Sequence, residues 1–172
     1  MTGFARYLPF AASALVFLFD RLTKWIIRAH VSAWDNYAVI PGFFSIVHTE
    51  NRGAAFGILA DSTSEWRTVF LIALSIGVMA FITTLLLQPA RGGLVSTPAL
   101  RVGLALVLGG ALGNVYDRAL AGSVTDFLEF YFGRYQFPAF NVADSAITIG
   151  AGLLVIDIWR TRRHEKHVSQ TD

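Results

Sequence analysis

The segment VFLIALSIGVMAFITTLLL, residues 69–87, contains no charged side chain. An α-helix needs about 20 mostly apolar residues to cross the roughly 30 Å of hydrocarbon in a bilayer. This segment therefore predicts a membrane-spanning helix. Similar apolar segments lie at 8–27, 98–116 and 140–159. We expect a membrane protein of the all-α class with four transmembrane helices.

The composition agrees with a membrane setting and narrows the chemistry. Of the 172 residues, 54% are hydrophobic and only 15% are charged, with a mean hydropathy of +0.52. These values exceed those of ordinary soluble domains. The chain has no Cys, which excludes disulfides, thiolate chemistry and Cys-based metal sites. The four His residues form no H-E-x-x-H pair, so we expect no metal and no other cofactor.

The distribution of Lys and Arg predicts the orientation in the membrane. Seven of the fourteen lie at Arg6, in the connection before the third segment, and in the C-terminal tail. The positive-inside rule then places both termini in the cytoplasm. With that topology and the rise of a helix, the polar residues of the spans fall in one layer at the outer membrane boundary, except Asp157, which lies beside the basic cytoplasmic end. That layer contains Asp20, Lys24, Asn114, Asp117, Arg118, Asn141 and Asp144.

The connections on the outer side have their own patterns. Residues 36–59 carry β-branched and aromatic runs broken by Pro41 and Gly42, which predicts a small extracytoplasmic β-sheet cradle. The connection between the third and fourth segments is dense in aromatic residues, so we expect it to lie on the membrane at the headgroup level. Gly109 and Gly113 form a G-x-x-x-G pattern that favours close helix packing. We interpret residues 1–172 as one domain.

Two aspartates are the strongest candidates for chemistry. Asp126 and Asp144 lie in GNVYDRALAGSVTDF, residues 113–127, and FPAFNVADS, residues 137–145. A carboxylate near hydrocarbon costs several kcal/mol unless it is paired or used. Two neighbouring carboxylates share one proton near neutrality, so one can act as general base on a water and the other as general acid. This pattern predicts the chemistry of an aspartic peptidase.

Other interpretations remain open for the polar residues. Asp20 and Lys24, spaced i and i+4, either neutralise each other or belong to the site. Asp117 beside Arg118 is typical of an interfacial anchor pair, and Asn141 of a helix N-cap. A proton-coupled transporter would also use intramembrane carboxylates, but it predicts polar residues spread through the membrane and repeated halves. A non-catalytic assembly subunit would not need a matched dyad.

Four motifs follow one another along the chain: FDRLTK at 19–24, TENRGAAFG at 49–57, GGALGNVYDR at 109–118 continuing to VTDF at 124–127, and FPAFNVADS at 137–145. Together they resemble the lipoprotein signal peptidase family, also called signal peptidase II. The resemblance implies that Asp126 and Asp144 are the catalytic dyad. It implies that the other signature positions bind substrate or support the dyad; these are Asp20, Lys24, Asn51, Gly53, Asn114, Asp117, Arg118 and Asn141. One departure is Arg52, where the family often has Thr.

The resemblance also implies the substrate and the location. The substrate would be a prolipoprotein whose Cys carries diacylglycerol, cut on the N-terminal side of that Cys. The enzyme would be a multi-pass protein of the bacterial cytoplasmic (inner) membrane, with its active site near the periplasmic face. We expect the substrate and membrane lipid as its partners, no nucleic acid, no cofactor, and a monomer.

Overall fold

The computed structural model describes residues 6–53, 66–89 and 97–168. Four helices and four strands follow one another along these residues. They are α1 (Leu8–His30), β1 (Asn36–Ile40), β2 (Phe44–Asn51), α2 (Trp66–Leu87), α3 (Pro98–Ala121), β3 (Val124–Phe132), β4 (Tyr135–Phe140) and α4 (Val142–Val168). Residues 54–59 of the predicted sheet region, and Arg91 of the orientation argument, lie outside the described residues.

Each of the four predicted spans forms a helix. Within the described part of the chain, three of these helices are long and apolar enough to cross a membrane: Trp66–Leu87, Pro98–Ala121 and Val142–Thr161. Helix α1 has 23 residues but carries Asp20, Arg21 and Lys24 in its second half. Its crossing of the membrane and the cytoplasmic location of both termini therefore stay predictions.

Helix α3 is longer than the predicted 98–116 because its two ends are defined by specific residues. Thr97 caps the start, where its Oγ1 accepts a hydrogen bond from the Leu100 N–H at 3.1 Å. Gly122 ends the helix with a φ of +70°, a backbone conformation that favours glycine. The extra turn keeps Asp117 and Arg118 helical, so their side chains point in fixed and different directions.

Small residues let α3 pack closely against α1 and α4. A Cβ added to Gly109 would lie 2.5 Å from the Ser13 carbonyl oxygen of α1, and one added to Gly113 would lie 2.5 Å from Asp20 Oδ2. On the other side, a Cβ on Gly150 would lie 2.6 Å from the Gly103 carbonyl oxygen. The predicted close packing at Gly109 and Gly113 is confirmed, since no larger side chain fits at these helix crossings.

A four-stranded antiparallel sheet in the order β1-β2-β3-β4 packs at one end of the helices. Gly42, with a φ of +72°, forms the turn between β1 and β2. These two strands confirm the sheet predicted from residue 36 onwards. In the pairing of β2 with β3, Thr49 lies opposite Asp126 and Glu50 opposite Thr125. The sheet thus sets where Asp126 lies relative to β2.

The connection between α3 and α4 differs from its prediction. Its aromatic residues predict a loop on the membrane, whereas it forms the β3–β4 hairpin, with Gly133 in the turn at a φ of +64°. The aromatic residues pack across the strands: Phe130 stacks on Phe44 at 4.8 Å and on Phe140 at 5.9 Å between ring centroids. Because β4 extends to Phe140, α4 begins at Val142, two residues later than predicted.

The close approach of α3 and α4 at Gly150 generates a stability prediction. We expect Gly150→Ala to lower the free energy of unfolding by about 1–3 kcal/mol, because the added methyl group overlaps the Gly103 carbonyl oxygen. Gly152→Ala is the matched control on the same helix, since nothing lies within 4 Å of a Cβ at that position. Thermal unfolding of both variants in the same detergent measures the difference. Equal unfolding midpoints would contradict this account of the packing.

Candidate active site

Asp126 and Asp144 face one cavity of about 540 Å³. Strand β3 supplies Asp126, and the first turn of α4 supplies Asp144. Asn51, Asn114 and Arg118 line the same cavity. Four elements, β2, α3, β3 and α4, therefore bring together the two predicted catalytic residues and three of the predicted supporting residues.

Asn141 contacts both aspartates. Its Oδ1 accepts a hydrogen bond from the Asp144 N–H at 2.9 Å, and its own N–H donates to Asp144 Oδ2 at 3.3 Å. This is a reciprocal cap at the start of α4, so the predicted N-cap is confirmed. In addition, Asn141 Nδ2 donates to Asp126 Oδ1 at 2.7 Å. The residue that begins α4 thus also holds the two carboxylates in a common arrangement.

Two further asparagines hold the remaining carboxylate oxygens. Asn51 Nδ2 donates to Asp126 Oδ2 at 3.1 Å, and Asn51 Oδ1 accepts from the Gly53 N–H at 2.8 Å. Asn114 Nδ2 donates to Asp144 Oδ1 at 2.8 Å. Each of the four carboxylate oxygens accepts at least one N–H group, so both side chains have defined orientations.

Burial and the neighbouring charge change the acidity of Asp126. The residue is only 2% exposed. Burial and then the Asp144 carboxylate raise the pKa of Asp126 to about 7, against the opposing effect of the hydrogen bonds from Asn51 and Asn141. Asp126 therefore holds its proton to a higher pH than an exposed carboxyl group does.

Arg118 and Asp117 are not the anchor pair that the sequence favoured. Arg118 Nη2 donates to the Gly53 carbonyl oxygen at 2.8 Å beside the cavity. Asp117 faces α1, where Arg21, Lys24 and Arg28 pair with it. Adjacent residues on a helix point about 100° apart and do not face each other, so this interpretation of the sequence is wrong.

A buried charged cluster lies behind the dyad. Lys24 Nζ is 2.9 Å from Asp20 Oδ2 and 2.8 Å from Asp117 Oδ2, and it donates to Asn114 Oδ1 at 3.0 Å. Asp20 Oδ1 also accepts the Ala143 N–H in the first turn of α4 at 3.0 Å. Asp20 and Lys24 therefore neutralise each other and also contact residues that hold Asp144, so both open interpretations apply.

The predicted supporting residues divide into those that line the cavity and those that do not. Asn51, Asn114 and Arg118 line it. Asn141 does not line the cavity but hydrogen-bonds both carboxylates. The remaining four also lie outside the lining; these are Asp20, Lys24, Gly53 and Asp117. Their geometry suits support of the dyad and its loops rather than direct contact with a substrate.

Sequence reasoning missed several residues around this cluster. Arg28 lies one residue beyond the predicted first segment, 8–27, but α1 continues to His30. Arg28 Nη2 lies 2.9 Å from Asp117 Oδ1. The spacing of Asp20, Lys24 and Arg28 at i, i+4 and i+8 places them on one helix face, and that signal could have revealed Arg28. Glu50 and Thr125 carried no comparable signal.

The rest of the cavity lining is mostly apolar. It includes Leu71 and Leu74 of α2, Ile147 and Ile149 of α4 and residues 137–140, together with Ser75, Ser145 and Thr148. The cavity thus has a polar end at the dyad and an apolar wall between two helices. Among residues 6–53, 66–89 and 97–161, no group of three or more His, Asp or Glu side chains is arranged to hold a metal ion.

Comparisons with known proteins agree with this site. The family described as Signal peptidase (SPase) II matches residues 12–160. A lipoprotein signal peptidase of Solibacter usitatus (strain Ellin6076) is 51% identical, covering 95% of this chain and 98% of that protein. A lipoprotein signal peptidase of Pseudomonas aeruginosa (strain UCBPP-PA14) is 43% identical, covering 88% and 87% respectively.

The fold is also similar to solved structures. One bacterial membrane enzyme has a TM-score of 0.77 at 33% identity, covering 88% of this chain and 87% of that one. A second has a TM-score of 0.74 at 34% identity, covering 87% and 91%. The resemblance seen in the sequence motifs is thereby confirmed. The chain is a membrane-associated peptidase that belongs to the signal peptidase II family.

Proposed function

We propose that this protein is an aspartic endopeptidase that removes the signal peptide from diacylglyceryl-modified prolipoproteins. Family membership supports the processing of lipoprotein precursors. The observation that carries the aspartic mechanism is the shared cavity of Asp126 and Asp144, in which amide donors hold every carboxylate oxygen. The two carboxylates belong to different elements, and Asn141 hydrogen-bonds both of them.

The proposed chemistry divides the work between the two carboxylates. Asp126, with its pKa raised to about 7, holds the proton and acts as the general acid. Asp144 is the general base, which takes a proton from a water as the water oxygen attacks the scissile carbonyl carbon. Asp126 gives its proton to the carbonyl oxygen. As the tetrahedral intermediate collapses, Asp144 passes the proton that it took from the water to the leaving nitrogen, and Asp126 takes a proton back from a hydroxyl group of the intermediate. The C–N bond breaks, and both carboxyl groups return to their starting states.

The supporting residues keep this arrangement ready for reaction. Because the amides of Asn51, Asn114 and Asn141 hold the carboxylates, little reorganisation is required when the substrate binds. Arg118 holds the carbonyl oxygen of Gly53 and so anchors the segment after β2 beside the cavity. The buried Lys24 ammonium holds Asn114 from the opposite side.

The apolar part of the cavity suits the lipid part of the substrate. Leu71 and Leu74 on α2, with Ile147 and Ile149 on α4, provide an apolar wall next to the polar end. Acyl chains between these helices would keep their apolar surface out of water while the peptide bond reaches the dyad. We place the site near the periplasmic face of the bacterial inner membrane and expect the enzyme to act as a monomer without a cofactor.

The first prediction tests the dyad. We expect Asp126→Asn and Asp144→Asn each to lower kcat by at least about 100-fold, because an amide keeps the shape but cannot transfer the proton. The assay is signal-peptide release from a purified diacylated prolipoprotein. Asp157→Asn is the control: Asp157 lies on the same helix α4 as Asp144 and accepts a hydrogen bond from Thr97 at 2.8 Å, far along the helix. Near-normal turnover in either dyad variant would exclude that residue from catalysis.

The second prediction concerns pH. Activity requires the protonated form of Asp126, so kcat should fall as the pH rises through about 7, where this carboxyl loses its proton. Steady-state rates between about pH 5 and about pH 9 give the profile. A rate that stays constant through the alkaline limb would contradict the role of Asp126 as the acid.

The third prediction concerns Arg118. We expect Arg118→Ala to lower kcat/KM by roughly ten- to one-hundred-fold, the equivalent of one lost charged hydrogen bond. Arg118→Lys should retain part of the activity, since an ammonium can still donate to a carbonyl oxygen but lacks the planar donor geometry. Arg134→Ala, in the exposed turn between β3 and β4, is the charge-matched control. Equal losses at Arg118 and Arg134 would show that only the positive charge matters.

A further inference from the structure

We propose that Arg28 is a positioning residue, which fixes the Asp126 end of β3 relative to the helices that hold Asp144, and that it acts through the hydroxyl group of Thr125. This inference rests on the proposed aspartic mechanism, because it assigns a role in the alignment of the two carboxylates. Arg28 and Thr125 are not among the residues that line the cavity.

The guanidinium of Arg28 joins two buried groups. Its Nη2 lies 2.9 Å from Asp117 Oδ1 on α3, and its Nε donates to Thr125 Oγ1 on β3 at 2.7 Å. Asp117 is 1% exposed and Thr125 is fully buried. Loss of Arg28 would leave the buried Thr125 hydroxyl oxygen without this donor, which is costly, whereas Asp117 would keep its pairs with Arg21 and Lys24. Arg28 therefore forms a link between a helix and a strand, rather than a surface ion pair.

The strand side of this link is held from two directions. The Thr125 hydroxyl accepts from Arg28 and donates to Glu50 Oε1 at 2.9 Å, so its orientation is defined. Ser123 Oγ donates to the other Glu50 oxygen at 2.7 Å. Glu50 and Thr125 are opposite each other in the sheet, and their next neighbours along the strands are Asn51 and Asp126. The link thus meets β2 and β3 one residue away from the Asn51–Asp126 hydrogen bond.

The helix side of the link leads to the second aspartate. Asp117 pairs with Lys24, Lys24 donates to Asn114, and Asn114 donates to Asp144. Starting from Asp126, the neighbouring Thr125 and then Arg28 connect to this series. Apart from the covalent step from Asp126 to Thr125, hydrogen bonds and ion pairs therefore connect the two carboxylates by way of Arg28, Asp117, Lys24 and Asn114.

Only an arginine suits this position. The planar guanidinium directs Nε and Nη2 at two partners at once, whereas the ammonium of a lysine is a compact point charge. If the link is removed, the Asp126 end of β3 loses its attachment to α1 and α3. The pair of carboxylates shares a proton only at a defined separation, so the pH dependence of catalysis should respond. The charged groups that face Asp126 are Asp144, Lys24 and Arg118.

The experiment uses the full-length protein and a diacylated prolipoprotein. We expect Arg28→Met and Thr125→Val each to lower kcat by about tenfold, since small displacements of reacting groups have effects of this size or larger. KM should stay within about twofold because neither residue lines the cavity. The alkaline limb of the pH profile should move to lower pH by roughly half a unit, as the Asp144 charge acts less strongly on a displaced Asp126.

Coupling and rescue distinguish positioning from a general loss of stability. The double variant should be about as active as either single variant, since both changes cut the same link. Thr125→Ser keeps the hydroxyl group and should restore most of kcat. Arg21→Met is the matched control: Arg21 pairs with the same Asp117 carboxylate, but its guanidinium lies over the Tyr116 ring at 4.5 Å and not on β3. It should leave the pH profile unchanged.

Several results would overturn the inference. Arg21→Met and Arg28→Met with the same effect on kcat and pH would show that only the charge around Asp117 matters. Additive losses in the double variant, or an unchanged pH profile in Thr125→Val, would show that Arg28 does not act through Thr125. If Asp126→Asn and Asp144→Asn are inactive but Arg28→Met has normal activity, this inference is refuted and the proposed function is not. Active dyad variants would refute the proposed function.

Discussion

The ammonium group of Lys24 is the interaction on which the rest of the site depends. It is fully buried, and its three N–H donors face Asp20, Asp117 and Asn114. An unpaired charge in such a place would cost several kcal/mol, and removal of one partner from a buried pair costs about 3–5 kcal/mol. Helices α1 and α3 must therefore keep a fixed rotation and a fixed axial position relative to each other. Any other arrangement would separate the ammonium from its acceptors.

This constraint is transmitted to the catalytic candidates through Asn114 and the start of α4. Asn114 accepts from Lys24 and donates to Asp144, so its amide cannot rotate without loss of one bond. Asp20 accepts the Ala143 N–H and holds the first turn of α4 against α1. The charged cluster does not touch the cavity, yet it decides where one of the two carboxylates lies. Burying these charges costs free energy, but their pairing fixes the positions of the side chains that hold Asp144.

Close packing makes the network possible. Side chains at Gly109 or Gly113 would overlap α1, and a Cβ at Gly113 would meet the Asp20 carboxylate itself. Without the approach that these glycines allow, Lys24 could not reach Asp117 and Asn114 together. Helix α2 packs differently, with apolar residues such as Ile82 and Leu86 against Leu104 of α3. Nearer the site, Leu71 and Leu74 of α2 belong to the apolar lining of the cavity. The charged contacts of α1 and α3 and the apolar contacts of α2 therefore lie in separate parts of the bundle.

The membrane setting, the four helical segments and the choice of Asp126 and Asp144 as dyad candidates can all be predicted from the sequence. They follow from local properties, namely the apolar length of a segment such as 69–87, helix capping, and a carboxylate such as that of Asp144 next to hydrocarbon. The β3–β4 hairpin, the separate contacts of Asp117 and Arg118, and the contacts of Arg28 could not be predicted in this way. Strand pairing and buried ion pairs depend on residues far apart in the chain, as in the contacts of Thr125 with Arg28 and Glu50. A linear pattern shows which residue types are present, but the free energy of a buried charge depends on the partner that the fold brings to it.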